Sequence, residues 1–255
     1  MSGLANRLAP VALIALILVV WEAACRLLNV PPFLLPPPSA IALAAVANAP
    51  LLISAAANTL LMAVMAFVAA SLIANTVALA IATNALFERA VQPIAVTLQV
   101  TPVMAIAPLV VIWSGLDHPD RAVVALAAIV AFFPIFSGAL TGLKSADPDL
   151  ERLFDLYGAG PLQRLFRLRL PSAVPFMLEG HKVAAGLALI GAVVAEFVAR
   201  SGLSQGLAWR IIEASNRLQT DKMFAALFIL GLMGVALNAL MGAAEQALLR
   251  RWRGR

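Results

Sequence analysis

Charge is what this chain has least of. Only 12% of its 255 residues are Asp, Glu, Lys or Arg, about half the share usual in a soluble domain. A soluble fold of this length spreads its charges along the whole chain, and here long stretches carry none. Cysteine is nearly missing as well. A lone Cys25 excludes an internal disulfide and any cysteine-built metal cluster. The two histidines, His118 and His181, fall on opposite sides of the membrane in the reading below, so they do not form the cluster that an integral membrane enzyme needs at one depth. No Gly-Lys dipeptide occurs, hence no Walker A loop to cradle ATP phosphates. The net charge of +5 comes without a basic patch interleaved with aromatics, which argues against nucleic acid.

What the chain has instead is apolar length. Residues of the hydrophobic set make up 62% of it, and several runs approach or exceed the roughly 20 helical residues that cross a ~30 Å hydrocarbon layer. Ala and Leu dominate these runs, which favours helix over strand. The short alternating segments of a transmembrane barrel are missing. The expected fold is therefore all-α: a polytopic membrane protein with about six transmembrane helices, forming one domain over 1–255. The spans fall at about 8–28, 51–83, 91–113, 121–143, 172–198 and 223–249. The first is read as a retained span, because Trp21 and Glu22 stand where a lipoprotein signal wants small or aliphatic residues before Cys25. Glu22 and Arg26 can pair at i,i+4. Pro31–Ser39 reads as an extended surface linker. The second run would be about 50 Å as one helix, so it must tilt, break or project. Pro93, Pro102 and Pro108 interrupt the third.

Six spans place both ends on one side. With the termini inside, twelve of the 18 Lys and Arg fall at the inner face and six at the outer. The positive-inside rule then puts the polar segment 144–171 in the cytoplasm.

That segment carries most of the information. Leu150, Leu153, Phe154 and Tyr157 recur at i, i+3, i+4 and i+7, one face of a helix; Glu151, Arg152 and Asp155 fall off it. Gly158-Ala159-Gly160-Pro161 then punctuates: glycine ends a helix in the left-handed region, and proline starts the next. Leu162, Leu165 and Phe166 form the apolar face of a second helix, and Arg164, Arg167 and Arg169 its basic face. Such a helix–glycine–helix element either rests on lipid headgroups or docks into a partner's groove.

Residues Arg152-Leu153-Phe154-Asp155-Leu156-Tyr157-Gly158, nine further residues, then Leu168-Arg169-Leu170-Pro171 resemble the EAA loop of bacterial ABC-importer permeases. The family pattern is Glu-Ala-Ala, three residues, Gly, nine residues, Ile-x-Leu-Pro. Gly158, Leu168, Leu170 and Pro171 keep that spacing, whereas Arg152-Leu153-Phe154 replace Glu-Ala-Ala. Gln99-Val100-Thr101-Pro102, Ala131-Phe132-Phe133-Pro134 and Gly191–Phe197 are similar to the nitrate/sulfonate/taurine branch. Phe154–Ala159 and Asp221–Ala226 look like permeases for pyrimidine-like and riboflavin-like compounds. The resemblance implies a permease subunit of the bacterial inner membrane that forms the translocation pathway. Its implied partners are a second copy of itself, two cytoplasmic ATPases that bind the ATP, and an outer substrate-binding protein. No cofactor is implied for this chain. The ATPase-coupling residues would be Arg152, Leu153, Phe154, Asp155, Tyr157, Gly158, Gly160, Pro161, Leu168, Leu170 and Pro171. The alternative is a secondary transporter, although the internal repeat common in that class is not evident.

Further polar residues lie within the apolar runs. Gln99, Thr101 and Ser137 are pathway-lining candidates or bond to neighbouring helices. Glu196 faces the pathway or snorkels to the outer interface. Glu179 and Lys182 at i,i+3 read as a structural pair, and His181 as a solvated histidine near the inner face. Trp113, Trp209 and Trp252 read as interface anchors.

Overall fold

The computed structural model describes residues 2–82, 89–91, 93–94, 97, 101–115, 118–199 and 205–253. Among these the secondary structure is helical throughout. The helices are α1 (Ser2–Leu27), α2 (Pro38–Ala47), α3 (Ala49–Ala82), α4 (Val103–Ser114) and α5 (Pro119–Leu143). Then come α6 (Pro148–Leu156), α7 (Pro161–Arg164), a π turn (Leu165–Arg169), α8 (Leu170–Ala199), α9 (Leu207–Asn216) and α10 (Thr220–Arg253). Proline occupies the first turn of α2, α5, α6 and α7, where its missing N–H costs nothing.

Among the described residues, five helical stretches are long and apolar enough to cross a membrane: Ala9–Leu27, Ala49–Ala82, Pro119–Leu143, Pro161–Ala199 and Thr220–Arg250. α3 is unbroken over 34 residues, so of the three expected accommodations a break is eliminated. The expected third span is represented among the described residues by the helical Val91, Pro93, Ile94 and Thr97 and by α4. The 12 residues of α4 reach about 18 Å. α4 starts immediately after Pro102 and carries Pro108 inside it.

The chain divides into two compact units, Met1–Ala57 with Gln205–Gly231, and Asn58–Ser204 with Leu232–Arg255. In the first, the proline-rich segment is not extended throughout: the Leu34 and Leu35 N–H groups both donate to the Pro31 carbonyl, at 2.9 and 3.2 Å, closing a turn, and Pro38 and Ser39 already belong to α2. Glu22 pairs with Arg26 at 2.6 Å and also accepts the Ser39 N–H at 3.0 Å and hydroxyl at 2.8 Å. The Thr220 hydroxyl donates to the Phe33 carbonyl at 2.8 Å. Trp21 packs against Phe224 and Phe228, with ring centroids 5.9 and 6.1 Å away.

In the second unit small residues set the spacing. Ala70, Ala74 and Ala78 on α3, Ala131, Ile135 and Ala139 on α5, and Ala173, Ala184 and Ala188 on α8 share one buried cluster. α5 and α8 meet backbone to backbone. A Cβ on Gly180 would stand 2.6 Å from the Pro134 carbonyl oxygen, and one on Gly138 would stand 2.7 Å from that of Phe176. Close approach through small residues is how helices pack where lipid offers no hydrophobic drive between them.

Candidate functional site

The segment between α5 and α8 is built from local signals. Asp147 caps α6, its carboxylate accepting the Asp149 N–H at 2.8 Å. Asp149 and Glu151 lie in the first turn, where negative charge suits the helix dipole. The end of α6 is a Schellman turn. The Ala159 N–H donates to the Phe154 carbonyl, and the Gly158 N–H to that of Asp155, both at 3.0 Å. Gly158 has φ +62°, the left-handed conformation that glycine adopts at no cost. Gly160 then caps α7, its N–H donating to the Gln163 side chain at 3.1 Å, and Pro161 opens that helix.

The second helix differs from expectation. It is not a separate amphipathic element, because α7, the π turn and α8 run on as one helical stretch, Pro161–Ala199. Pro171 lacks an N–H and crowds the carbonyl four residues back, that of Arg167. The wider π turn immediately before α8 accommodates this. The apolar face splits accordingly: Leu165 and Leu168 are buried, whereas Leu162 and Phe166 are exposed. Leu170 and Pro171 are half-buried at the foot of α8.

The face of α6 spelled by Leu150, Leu153 and Tyr157 is left uncovered by the rest of the chain, with Phe154 half-buried. Leu156 and Tyr157 are 85% and 82% exposed. Arg152 is exposed and pairs with Asp149 at 3.0 Å. Asp155 pairs with Arg164. The helical phase also made Glu151 an outward residue, but the structure turns it inward. Its carboxylate accepts from Arg169 Nε at 2.6 Å and lies 3.7 Å from Arg164 Nη1. Arg169 Nη1 in turn donates to the Ala82 carbonyl of α3 at 3.3 Å. Glu151 and Arg169 also wall a cleft of about 440 Å³ with Leu143, Lys144, Ala146 and Pro148. No short-range pattern signals a pair 18 residues apart.

Polar groups inside the spans join α8 to its neighbours. Glu196 does not snorkel: it is 2% exposed and accepts from the Thr59 hydroxyl at 2.7 Å. His181 is half-buried and bonded on both ring nitrogens. Its Nδ1 lies 2.6 Å from the Met177 carbonyl, which can only accept, so this nitrogen carries the proton. Its Nε2 is 2.8 Å from the Ser71 hydroxyl and 3.2 Å from Asn75 Nδ2. Ser71 and Asn75, polar and four apart in an apolar run, share a helix face, and that spacing was the available signal. Lys182 bonds Glu245 of α10 at 3.1 Å rather than Glu179, because a partner on a facing helix lies in its direction. The Thr101 hydroxyl donates back to the Thr97 carbonyl at 2.7 Å. Ser137 is half-buried beside Gly138, Trp113 and Trp252 are exposed, and Trp209 is half-buried. Gln99 lies outside the described residues.

Residues 66–254 match the family of the binding-protein-dependent transport system inner membrane component. A probable ABC transporter permease protein of Haemophilus influenzae is 32% identical over 88% of this chain and 89% of its own. The formylaminopyrimidine transport permease protein ThiX of Halalkalibacterium halodurans is 32% identical over 96% of each chain. The riboflavin transport system permease protein RibX of Chloroflexus aurantiacus is 32% identical over 94% of this chain and 88% of its own. Each similarity runs through the capped, apolar-faced loop and the spans on either side of it. By the match over 66–254, the chain belongs to the binding-protein-dependent inner-membrane permeases of ABC transporters.

Proposed function

We propose that this permease works as half of the pathway of an ATP-driven importer, and that segment 144–171 is where a cytoplasmic ATPase grips it. The family brings an ATPase and a binding protein as partners. The observation that carries the docking site is the turn itself. Leu156, Tyr157, Leu162 and Phe166 are exposed around Gly158, a compact apolar knob on a rigid base. Such a knob fits a groove on a soluble partner. ATP belongs to that partner, and this chain takes no cofactor of its own. A second copy completes the pathway, since few spans enclose little. Gln99, Thr101, Ser137 and Glu196 remain the pathway-lining candidates. Relatives named for formylaminopyrimidine and riboflavin, and one named for taurine, favour a small polar solute, heterocyclic or anionic.

Co-purification from membranes with the proteins encoded beside it tests the reading. Recovery of an ATPase in stoichiometric amounts, with ATP-dependent uptake after reconstitution, supports it. Uptake that survives ATP depletion but dies with the ion gradient would hand the function to a secondary transporter.

A further inference from the structure

Three acids lie on α6, and they are not equivalent. Asp149 is 84% exposed and bonds only within its own helix, to Arg152. Asp155 is 62% exposed and bonds Arg164. Glu151 is 22% exposed, with Arg169 on one oxygen and Arg164 near the other. Arg169 ends the π turn at the foot of α8 and also reaches the α3 carbonyl of Ala82. Through these two side chains the loop helix, the root of α8 and α3 are joined at one point. Arg164 is held a second time, its guanidinium lying 3.4 Å from the Ala159 carbonyl. The uncovered apolar knob lies at the other end of α6, at Leu156 and Tyr157.

We infer that Glu151 is a positioning residue for coupling: through Arg169 it makes α6 and the root of α8 one lever, so that displacement of the docked loop moves the span. Without it the ties that remain to α6 are the Asp155–Arg164 pair, whose carboxylate is 62% exposed, and the chain on either side, residues 144–147 and 157–160. Glu151 then belongs to the permease's own frame and not to its ATPase contact, which falls to Arg152, Tyr157 and the exposed leucines. This rests on the reading that the loop meets an ATPase.

The test uses the permease co-expressed with its ATPase and reconstituted in vesicles, with the binding protein added as purified. The readouts are ATPase recovery and the stimulation of ATP hydrolysis by the binding protein, a signal that must cross the membrane. Glu151→Gln and Arg169→Gln should each keep full ATPase recovery and basal hydrolysis but lose stimulation by about tenfold, within the range typical of coupling between sites. The double variant should be no worse than either single, as expected for one shared interaction. Loss of ATPase recovery in Glu151→Gln would make Glu151 a docking contact and overturn the inference. Undiminished stimulation, or additive losses, would also overturn it. A second measurement covers poor insertion of the variants. With Cys25→Ala, Glu151→Cys and Arg169→Cys bridged by a short bis-maleimide, a rigid lever keeps stimulation, whereas a requirement for relative motion abolishes it. If the wild-type chain recovers no ATPase at all, the proposed function fails, and that result is separate from any of these.

Discussion

Two residues show how little slack the spans contain. Gly180 has no room for a methyl group, because the obstructing atom is the Pro134 carbonyl oxygen at 2.6 Å, and a backbone cannot rotate aside. Gly180→Ala should push α5 and α8 apart and cost about 1–3 kcal/mol, the usual price of overpacking, read as a lower unfolding temperature in detergent. Gly186→Ala is the control. Nothing lies within 4 Å of its Cβ position, so it should be neutral or slightly stabilising. Thr59 offers a second case, since its hydroxyl donates to the buried Glu196 carboxylate. Thr59→Val keeps the shape and removes the donor, which should cost about 1–3 kcal/mol. Thr59→Ser keeps the donor and should recover most of that stability in the same melt.

At the level of elements, the loop works through its glycine turn. Gly158 has φ +62° with open space around it, so the demand there is conformational and not steric. A β-branched residue in that conformation costs about 1–2 kcal/mol. Gly158→Val should insert normally yet uncouple ATP hydrolysis from uptake, and wild-type uptake in that variant would refute a coupling role for the turn. Gly160 has φ −69°, which any residue adopts, so Gly160→Ala should transport normally. This loop was legible in sequence because its signals are local: apolar residues at helical spacing, glycine at the end, proline at the start. The spans were legible for the same reason, as runs of Ala and Leu. The partners of Glu151, His181, Lys182 and Glu196 were not, because each bond depends on which faces of distant helices meet. Lys182 is instructive. Glu179 sits at favourable spacing on its own helix, yet Glu245 on α10 takes the bond. The π turn was hidden too, since Pro171 marks a disturbance without saying how the helix absorbs it.

The whole molecule has one orientation that makes the proposed function work, and α5 can report it. This span has Asp120 in its first turn, and the loop with exposed Asp149 follows its other end. Segment 144–171 carries Lys144, Arg152, Arg164, Arg167 and Arg169, whereas the other end of α5 carries only Arg121, in its first turn. The positive-inside rule predicts Asp149 on the cytoplasmic side and Asp120 outside. Replacing Cys25 leaves the chain free of thiols, so Cys25→Ala with Asp120→Cys or Asp149→Cys gives single reporters at the two ends of one helix. A membrane-impermeant maleimide should label the Asp120→Cys protein in intact cells and spare the Asp149→Cys protein. Inside-out vesicles should reverse the pattern. The result bears on more than topology. ATP is supplied in the cytoplasm, so an external loop could not meet an ATPase there. Labelling of Asp149→Cys from outside would therefore remove the docking site and the Glu151 lever together, whatever the family match.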